Sequence, residues 1–257
     1  MGRPYPEIDL RTITDVDLVA RRAEYPQLER LLQHLGFTPS TARSHELRHE
    51  HHVQYFRERQ PRRVMAELHW TPFYMLYSSP AADEAALSRA APHTYDGTDF
   101  TLLDPEDTLL SLVLHLAMHR YRGQLKWAVD IAAALDHFGP QLSWPTLWDR
   151  AERLGASRAL AFGLWLCGHV LQEPGVEVSP RRELRWHLLR HLTPHDGLVH
   201  AHPQPESWRR TLTDLSLCDT LLDGLRHVAF KATEVHERKR PHRLPGWMTR
   251  RGLQRSR

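Results

Sequence analysis

The stretch Asp15-Val16-Asp17-Leu18-Val19 decides how the rest of the chain is interpreted. Apolar residues alternate with the aspartates, which predicts a short β-strand whose successive side chains point to opposite faces. Asp15 and Asp17 then share one face. Two adjacent carboxylates repel each other unless a cation lies between them, and oxygen ligands of this kind suit Mg²⁺. From the pair alone, a metal-free surface or turn position remains the alternative.

The next segments predict a helix and two more strands. Residues 25–35 place leucines at helical spacing, and Gly36 follows as a C-terminal stop. Residues 52–56 and 64–70 are typical of strands, with a turn over 58–63 between them.

Glu67 interrupts the second of these strands, which is otherwise apolar. If that strand lies beside the Asp15/Asp17 strand, three carboxylates converge. Such a site can hold two metal ions that clamp a nucleoside triphosphate for in-line attack.

The remaining sequence is mainly helical. Residues 72–103 show no clear period and are interpreted as a linking segment, after which Asp104 and Pro105 are typical of a helix start. Further helices are predicted over residues 126–138, 144–154, 157–171, 182–192 and 207–232. The fold class is therefore α+β, with an α/β core over 1–80, an α-helical domain over 81–235 and a tail over 236–257.

Four motifs, in order, resemble a known family. They are Tyr5-Pro6 with Arg11 before Asp15-Val16-Asp17-Leu18-Val19, the helix ending in Leu35-Gly36-Phe37, the strand Glu67-Leu68-His69-Trp70, and the helical set His115, His119-Arg120 and Leu125 to Asp130. Over roughly residues 5 to 135 the chain is similar to the uncharacterised bacterial nucleotidyltransferase family of the polymerase-beta-like superfamily.

The resemblance implies a chemistry and its residues. Asp15 and Asp17 would bind Mg²⁺, and Glu67 would be the third carboxylate, binding metal and helping to deprotonate the attacking group. The implied reaction transfers a nucleoside monophosphate from a nucleoside triphosphate to an unknown acceptor, a small molecule or a protein, and releases pyrophosphate.

Three further residues are candidates for substrate binding, each with a structural alternative. Arg11 suits a phosphate by its guanidinium geometry, or bonds a turn at the surface. Lys126 lines the substrate cleft together with Asp130, or the two form an intrahelical charge pair. His119 faces the cleft, as the resemblance implies, or packs in a core or interface as His115 would.

The family pattern also contains a glycine-bearing turn upstream of the paired aspartates, where the backbone approaches a triphosphate closely. Only four residues precede Tyr5 in this chain. We therefore expect a core shortened at its N-terminus, or a start further upstream. The alternative function is a catalytically degenerate nucleotidyltransferase fold that acts as a binding or partner module.

The basic charge is concentrated in the tail. Residues 236–257 carry eight basic residues and one acidic residue, whereas residues 1–235 carry 26 basic and 30 acidic residues. The slight acidity of residues 1–235 argues against a body that coats nucleic acid, and the tail either contacts nucleic acid weakly or is a solubilising terminus.

The histidines and cysteines add two expectations. His45, His49, His51 and His52 cluster in sequence, which favours a solvated polar loop before a strand over a zinc site. Cys167 and Cys218 lie in apolar helical patterns and are expected to pack unpaired in a reducing cytoplasm. The sequence contains no uninterrupted apolar run long enough to predict a membrane span, and its first residues lack the apolar stretch typical of a signal peptide.

Overall fold

The computed structural model describes residues 13–40, 51–59, 62–73, 76–95, 97–122, 125–171, 184–193, 198, 207–220 and 222–229. Within these ranges the chain is an α+β protein, a small mixed sheet followed by helices, as the sequence predicts. The strands are β1 (Asp15–Val19), β2 (Thr38–Pro39), β3 (His52–Arg59), β4 (Arg62–His69), β5 (Ala91–Tyr95) and β6 (Thr98–Leu102). The helices are α1 (Tyr25–His34), α2 (Pro80–Arg89), α3 (Pro105–Met118), α4 (Leu125–Phe138), α5 (Trp144–Arg153), α6 (Ser157–Leu171), α7 (Leu184–Leu192) and α8 (Ser207–Leu217), and residues 222–229 form a further helix.

The larger sheet combines parallel and antiparallel pairing in the order β1-β4-β3-β2. β1 pairs with β4 in parallel, while β3 pairs antiparallel with both β4 and β2. The parallel register sets Asp17 beside Glu67. Since neighbouring residues at one register position point to the same face, both carboxylates stand on one side of the sheet.

The opposite face of the sheet is apolar and packs on α1. Val53, Tyr55 and Leu68 are buried there against Tyr25 and Leu32 of the helix. The Tyr25 and Tyr55 hydroxyls lie 2.7 Å apart, so both buried phenols have a hydrogen-bond partner. Alternation along β3 and β4 thus divides the sheet into an apolar face and a polar face.

The helices enclose a second apolar cluster. Helices α3, α4 and α6 contribute most of its buried side chains. At Gly163 of α6 a Cβ atom would lie 2.5 Å from Val113 Cγ1, so a glycine is required where α6 crosses α3. The cluster already includes Phe73 and Tyr77, and the domain division at residue 80 stays a prediction.

A buried ionic network holds the start of α3. The Asp104 carboxylate accepts a hydrogen bond from the Asp107 backbone N–H at 2.9 Å, as predicted for the helix cap. Asp107 is 0 % exposed and lies 2.7 Å from the Arg89 guanidinium and 3.1 Å from that of Arg150. Arg150 also contacts Asp104 at 2.7 Å, so α2, α3 and α5 are joined by charge-assisted hydrogen bonds.

The segment predicted as a linker, residues 72–103, contains helix α2 and the β5–β6 hairpin. The linker interpretation was wrong for two physical reasons. Strand β6 has only two apolar residues, Phe100 and Leu102, and its side chains are all exposed, so its alternation is too short to mark a strand in the sequence. Helix α2 is rich in alanine and has a weak apolar stripe, although Ser79 caps it by accepting a hydrogen bond from Ala82 N.

The single helix predicted over residues 207–232 is interrupted after Leu217. The Thr220 hydroxyl accepts a hydrogen bond from Asp223 N and donates one to Asp223 Oδ2, which caps the helix over 222–229. Asp219 meanwhile accepts hydrogen bonds from the backbone N–H groups of Ser157 and Arg158, at 2.7 Å each. Residues at the break therefore cap two helices: Asp219 caps the start of α6, and Thr220 caps the helix over 222–229.

Several predictions lie outside the described residues: Arg11, the family motif before residue 13, His45 and His49, residues 182–183 and 230–232, and the tail over 236–257.

Cys167 and Cys218 are free and buried, as expected, and burial raises their thiol pKa to about 12 and about 11. Among the described helices, not one has the length and apolar character needed to cross a membrane.

Replacing Arg150 by methionine is expected to lower the free energy of unfolding by about 3–5 kcal/mol, because Asp104 and Asp107 keep their buried charge without this partner. The Arg150 side chain is 15 % exposed. The matched control is Arg153→Met on the same helix, whose side chain is 77 % exposed and pairs with Asp149. That change should cost at most about 1 kcal/mol in urea denaturation. Equal losses would contradict a special role for the network.

Asp214 of α8 makes stability depend on acid pH. Its carboxylate lies 2.9 Å from Arg120 Nη2 and 3.3 Å from His227 Nε2. Burial alone would raise the pKa of Asp214, but the hydrogen bond from His227 and the charge of Arg120 lower it. A lowered folded pKa gives stability that is present above the unfolded value of about 3.9 and is lost as pH falls through the folded value.

Asp214→Asn is therefore expected to cost about 1.5–3 kcal/mol at pH 7 and to flatten the acid limb of the stability curve. Urea denaturation at several pH values between neutral and acid measures both effects. Asp149→Asn, which alters an exposed carboxylate, is the control. An acid limb as steep as that of the unmodified protein would exclude Asp214 as its source.

Candidate active site

The polar face of the sheet brings two carboxylates and an imidazole together. Carboxylate oxygens of Asp17 and Glu67 and a ring nitrogen of His69 all lie within 4.8 Å of one another. β1 supplies Asp17, and β4 supplies the other two residues at alternate positions on one face. This is a donor set of the kind that holds a divalent cation.

His69 stands between the carboxylates. Its Nε2 atom is 3.2 Å from Asp17 Oδ1 and 3.4 Å from Glu67 Oε2. Gln54 Nε2 donates to the other Glu67 oxygen at 2.8 Å. Both oxygens of Glu67 are therefore engaged, which holds the carboxylate in one orientation.

The charges of these groups follow from their contacts. The hydrogen bond with His69 holds the pKa of Asp17 below its usual value, against the effect of burial. Burial alone would raise the pKa of Glu67, but the hydrogen bond from His69 and the charge of His52 lower it to about 2. Burial opposes a charge on His69, yet hydrogen bonds to Asp17 and Glu67 raise its pKa. The three shifts together favour an ion pair between the His69 imidazole and the two carboxylates.

A cleft of about 500 Å³ opens between this face and helix α3. Asp17 and His69 line it from the sheet, His115 lines it from α3, and His51 and Arg21 complete its polar wall. The Arg21 guanidinium is held by Glu84, with Nε 2.9 Å from Oε2. The volume falls within the range of small-ligand sites.

Burial lowers the pKa of His115 and, together with the positive charges nearby, lowers that of His51 to about 3. Both rings are therefore neutral at pH 7, with a lone pair available to accept a proton or bind a metal.

The predicted site residues are only partly brought together. Asp17 and Glu67 meet as expected if their strands are adjacent, and Asp15 lies two residues back on the same face of β1, beside Met65. Of the predicted site residues that the structure describes, Asp17 lines the cleft, whereas Asp15, Glu67, Lys126 and His119 do not. His119 instead stacks on Trp127, with ring centroids 4.2 Å apart.

Sequence reasoning did not assign site roles to His69, His51 or Arg21. The spacing of Glu67 and His69 carried a signal, because residues two apart on a strand share a face. Arg21 and His51 reach the cleft through chain pairing that local patterns do not reveal. For His115 and His119 the resemblance pointed to the end of α3. His115 lines the cleft, whereas His119 lies one turn further along, at the C-terminal cap of the helix.

A larger cavity, about 1010 Å³, lies among the helices beside Trp148, Arg158 and Asp223. Among the described residues, the groups of potential metal ligands lie at the sheet and not at this cavity. The clustered chemistry therefore selects the smaller cleft as the candidate active site.

A small mixed sheet with paired carboxylates beside a cleft, followed by helices, is consistent with a nucleotidyltransferase core followed by a helical region. The chain belongs to a family described as uncharacterised nucleotidyltransferase, whose family model matches residues 2–172. No curated protein and no solved structure matches the chain. Family membership supports nucleotidyl transfer as the general function and a divalent metal as the general cofactor.

Proposed function

We propose that the cleft binds a nucleoside triphosphate with Mg²⁺ and transfers its nucleoside monophosphate to an acceptor nucleophile, with pyrophosphate as the leaving group. The observation that carries this proposal is the side-by-side position of Asp17, which lines the cleft, and Glu67, on the same face of the sheet, in a chain of this family. The acceptor's oxygen or nitrogen forms a bond to the α-phosphorus as the bond to pyrophosphate breaks.

The donor chemistry fits a hard divalent cation. Asp15, Asp17 and Glu67 project from the same face of β1 and β4, and carboxylate oxygens are the ligands that Mg²⁺ prefers. When bound, such cations screen the phosphate charges and align the attacking and leaving groups. Asp17 and Glu67 would hold the metal, with Asp15 as the further carboxylate beside them.

Two other cleft residues suit the substrate. Arg21, oriented by Glu84, presents a guanidinium that can bind a phosphate oxygen. His115 lines the cleft, and the lowered pKa of its ring leaves the imidazole neutral at pH 7, so it joins Glu67 as a group that could accept the proton of the acceptor.

Titration calorimetry with ATP, GTP, CTP and UTP in the presence of Mg²⁺ tests the proposal on the full chain. At least one nucleotide should bind, and Asp17→Asn should weaken Mg²⁺-dependent binding roughly tenfold or more because a metal-binding charge is lost. The control is Asp99→Asn on β6, where the exposed carboxylate only accepts a hydrogen bond from Thr94. If folded protein binds none of the four nucleotides, the proposal fails.

A further inference from the structure

Three imidazole rings meet at one end of the sheet, next to the carboxylate pair. His52 lies opposite His69 in the β3–β4 register, and His51 immediately precedes β3. Ring centroids are 4.7 Å apart for His51 and His52, 5.2 Å for His51 and His69, and 4.8 Å for His52 and His69. One ring nitrogen from each histidine lies within 4.8 Å of the others.

Strand pairing and backbone contacts hold the three rings in place. Two of them come from a cross-strand pair, whose side chains share a face of the sheet. The His51 carbonyl accepts a hydrogen bond from Trp70 N at 3.2 Å, which ties the residue to the end of β4. The side chains of His52 and His69 are only 17 % and 13 % exposed. The arrangement therefore belongs to the folded sheet and not to a solvated loop.

The donor type favours a different cation from the one proposed for the carboxylates. Imidazole nitrogen suits borderline transition metals such as Zn²⁺, whereas Mg²⁺ prefers oxygen. Tetrahedral zinc with bonds of about 2.0–2.1 Å needs nitrogen atoms about 3.3 Å apart. Since the three nitrogens lie within 4.8 Å of one another, their widest separation would have to close by at most about 1.5 Å, through side-chain rotation.

The surroundings offset the charge of such a cation. Glu67 Oε2 lies 3.6 Å from His52 Nε2 and 3.4 Å from His69 Nε2, and Asp17 Oδ1 lies 3.2 Å from His69 Nε2. Carboxylates beside ligating histidines commonly orient the rings and raise their basicity. Glu84 offsets the charge of the Arg21 guanidinium, and a metal ion bound at His69 would displace the proton that the ring shares with Asp17 and Glu67.

Other histidines in the described part of the chain provide a contrast. His115 and His119 are also close, with ring centroids 4.9 Å apart. Trp127 packs against both rings, and this pair does not form a set of three metal-ligand groups. A histidine trio with converging nitrogens is found, within the described ranges, only at His51, His52 and His69.

We propose that His51, His52 and His69 form a binding site for a transition-metal dication of the zinc class, beside the Mg²⁺ site and in contact with it through His69. His51 and His69 line the cleft, so a ligand position left open by the three imidazoles faces the cleft. Three protein ligands with one open position are typical of zinc sites that bind an exchangeable group. The proposal does not depend on nucleotide binding.

The test uses the full chain after removal of metals with EDTA, titrated with Zn²⁺ and Co²⁺. We expect one tightly bound equivalent, a visible absorption band of four-coordinate Co²⁺, and displacement of Co²⁺ by Zn²⁺. His51→Gln and His52→Gln should each weaken Zn²⁺ binding roughly tenfold or more. His93→Gln is the matched control, because His93 stacks on Phe100 in the small hairpin and should leave binding unchanged.

X-ray absorption of the Zn²⁺ complex gives a readout that needs no variant, with about three nitrogen neighbours at roughly 2.0 Å expected. Purely oxygen coordination, no stoichiometric binding by the folded protein, or equal binding by all three variants overturns the proposal. Circular dichroism verifies the fold of each variant. Mg²⁺-dependent nucleotide binding measured on the same samples separates the two proposals, since nucleotide binding without Zn²⁺ binding overturns only this one.

Discussion

The parallel pairing of β1 with β4 is the constraint on which the site depends. It puts Asp17 beside Glu67, where two ionised carboxylates repel each other. The same register brings His69 beside Val19, two residues further along, and His69 reaches back to both carboxylates. A slip of one residue would turn the polar side chains toward the apolar core, so burial of the opposite face enforces the pairing that creates the site.

The two faces of the sheet have separate roles. Its apolar face packs on α1 through Val53, Tyr55 and Leu68, which fixes the strands. The polar face is left for chemistry and is closed across the cleft by α3. Helix α3 is in turn held at its first turn by the Asp104, Asp107 and Arg150 network. The two walls of the cleft thus rest on different interactions, one mainly apolar and the other ionic at its helix start.

The secondary-structure elements that could be predicted are those marked by a pattern of neighbouring residues in the sequence. Alternation of apolar and acidic residues predicted β1, and the leucine spacing predicted α1. Gly36 predicted the end of that helix, and in the structure it has a φ of +83°. The hairpin of β5 and β6 was missed because its strands contain few apolar residues and β6 is exposed throughout. The break before Thr220 was missed although Thr220 and Asp223 have capping spacing, because apolar residues continue through it. At the site, the Asp15/Asp17 pair and Glu67 followed from sequence, whereas His51 and His52 meet His69 only through the β3–β4 pairing, which local periodicity does not encode.

Donor chemistry changes along the strands of the polar face. Near the start of β1 the donors are the carboxylates of Asp15 and Asp17, and toward the end of β4 they become imidazoles, with Glu67 and His69 at the transition. Oxygen donors select hard cations and nitrogen donors select borderline ones. With both proposed sites occupied, strand direction and register would let one face of the sheet discriminate between two kinds of cation without a second fold element. His69 belongs to both donor groups, so its ring orientation is the physical link between them.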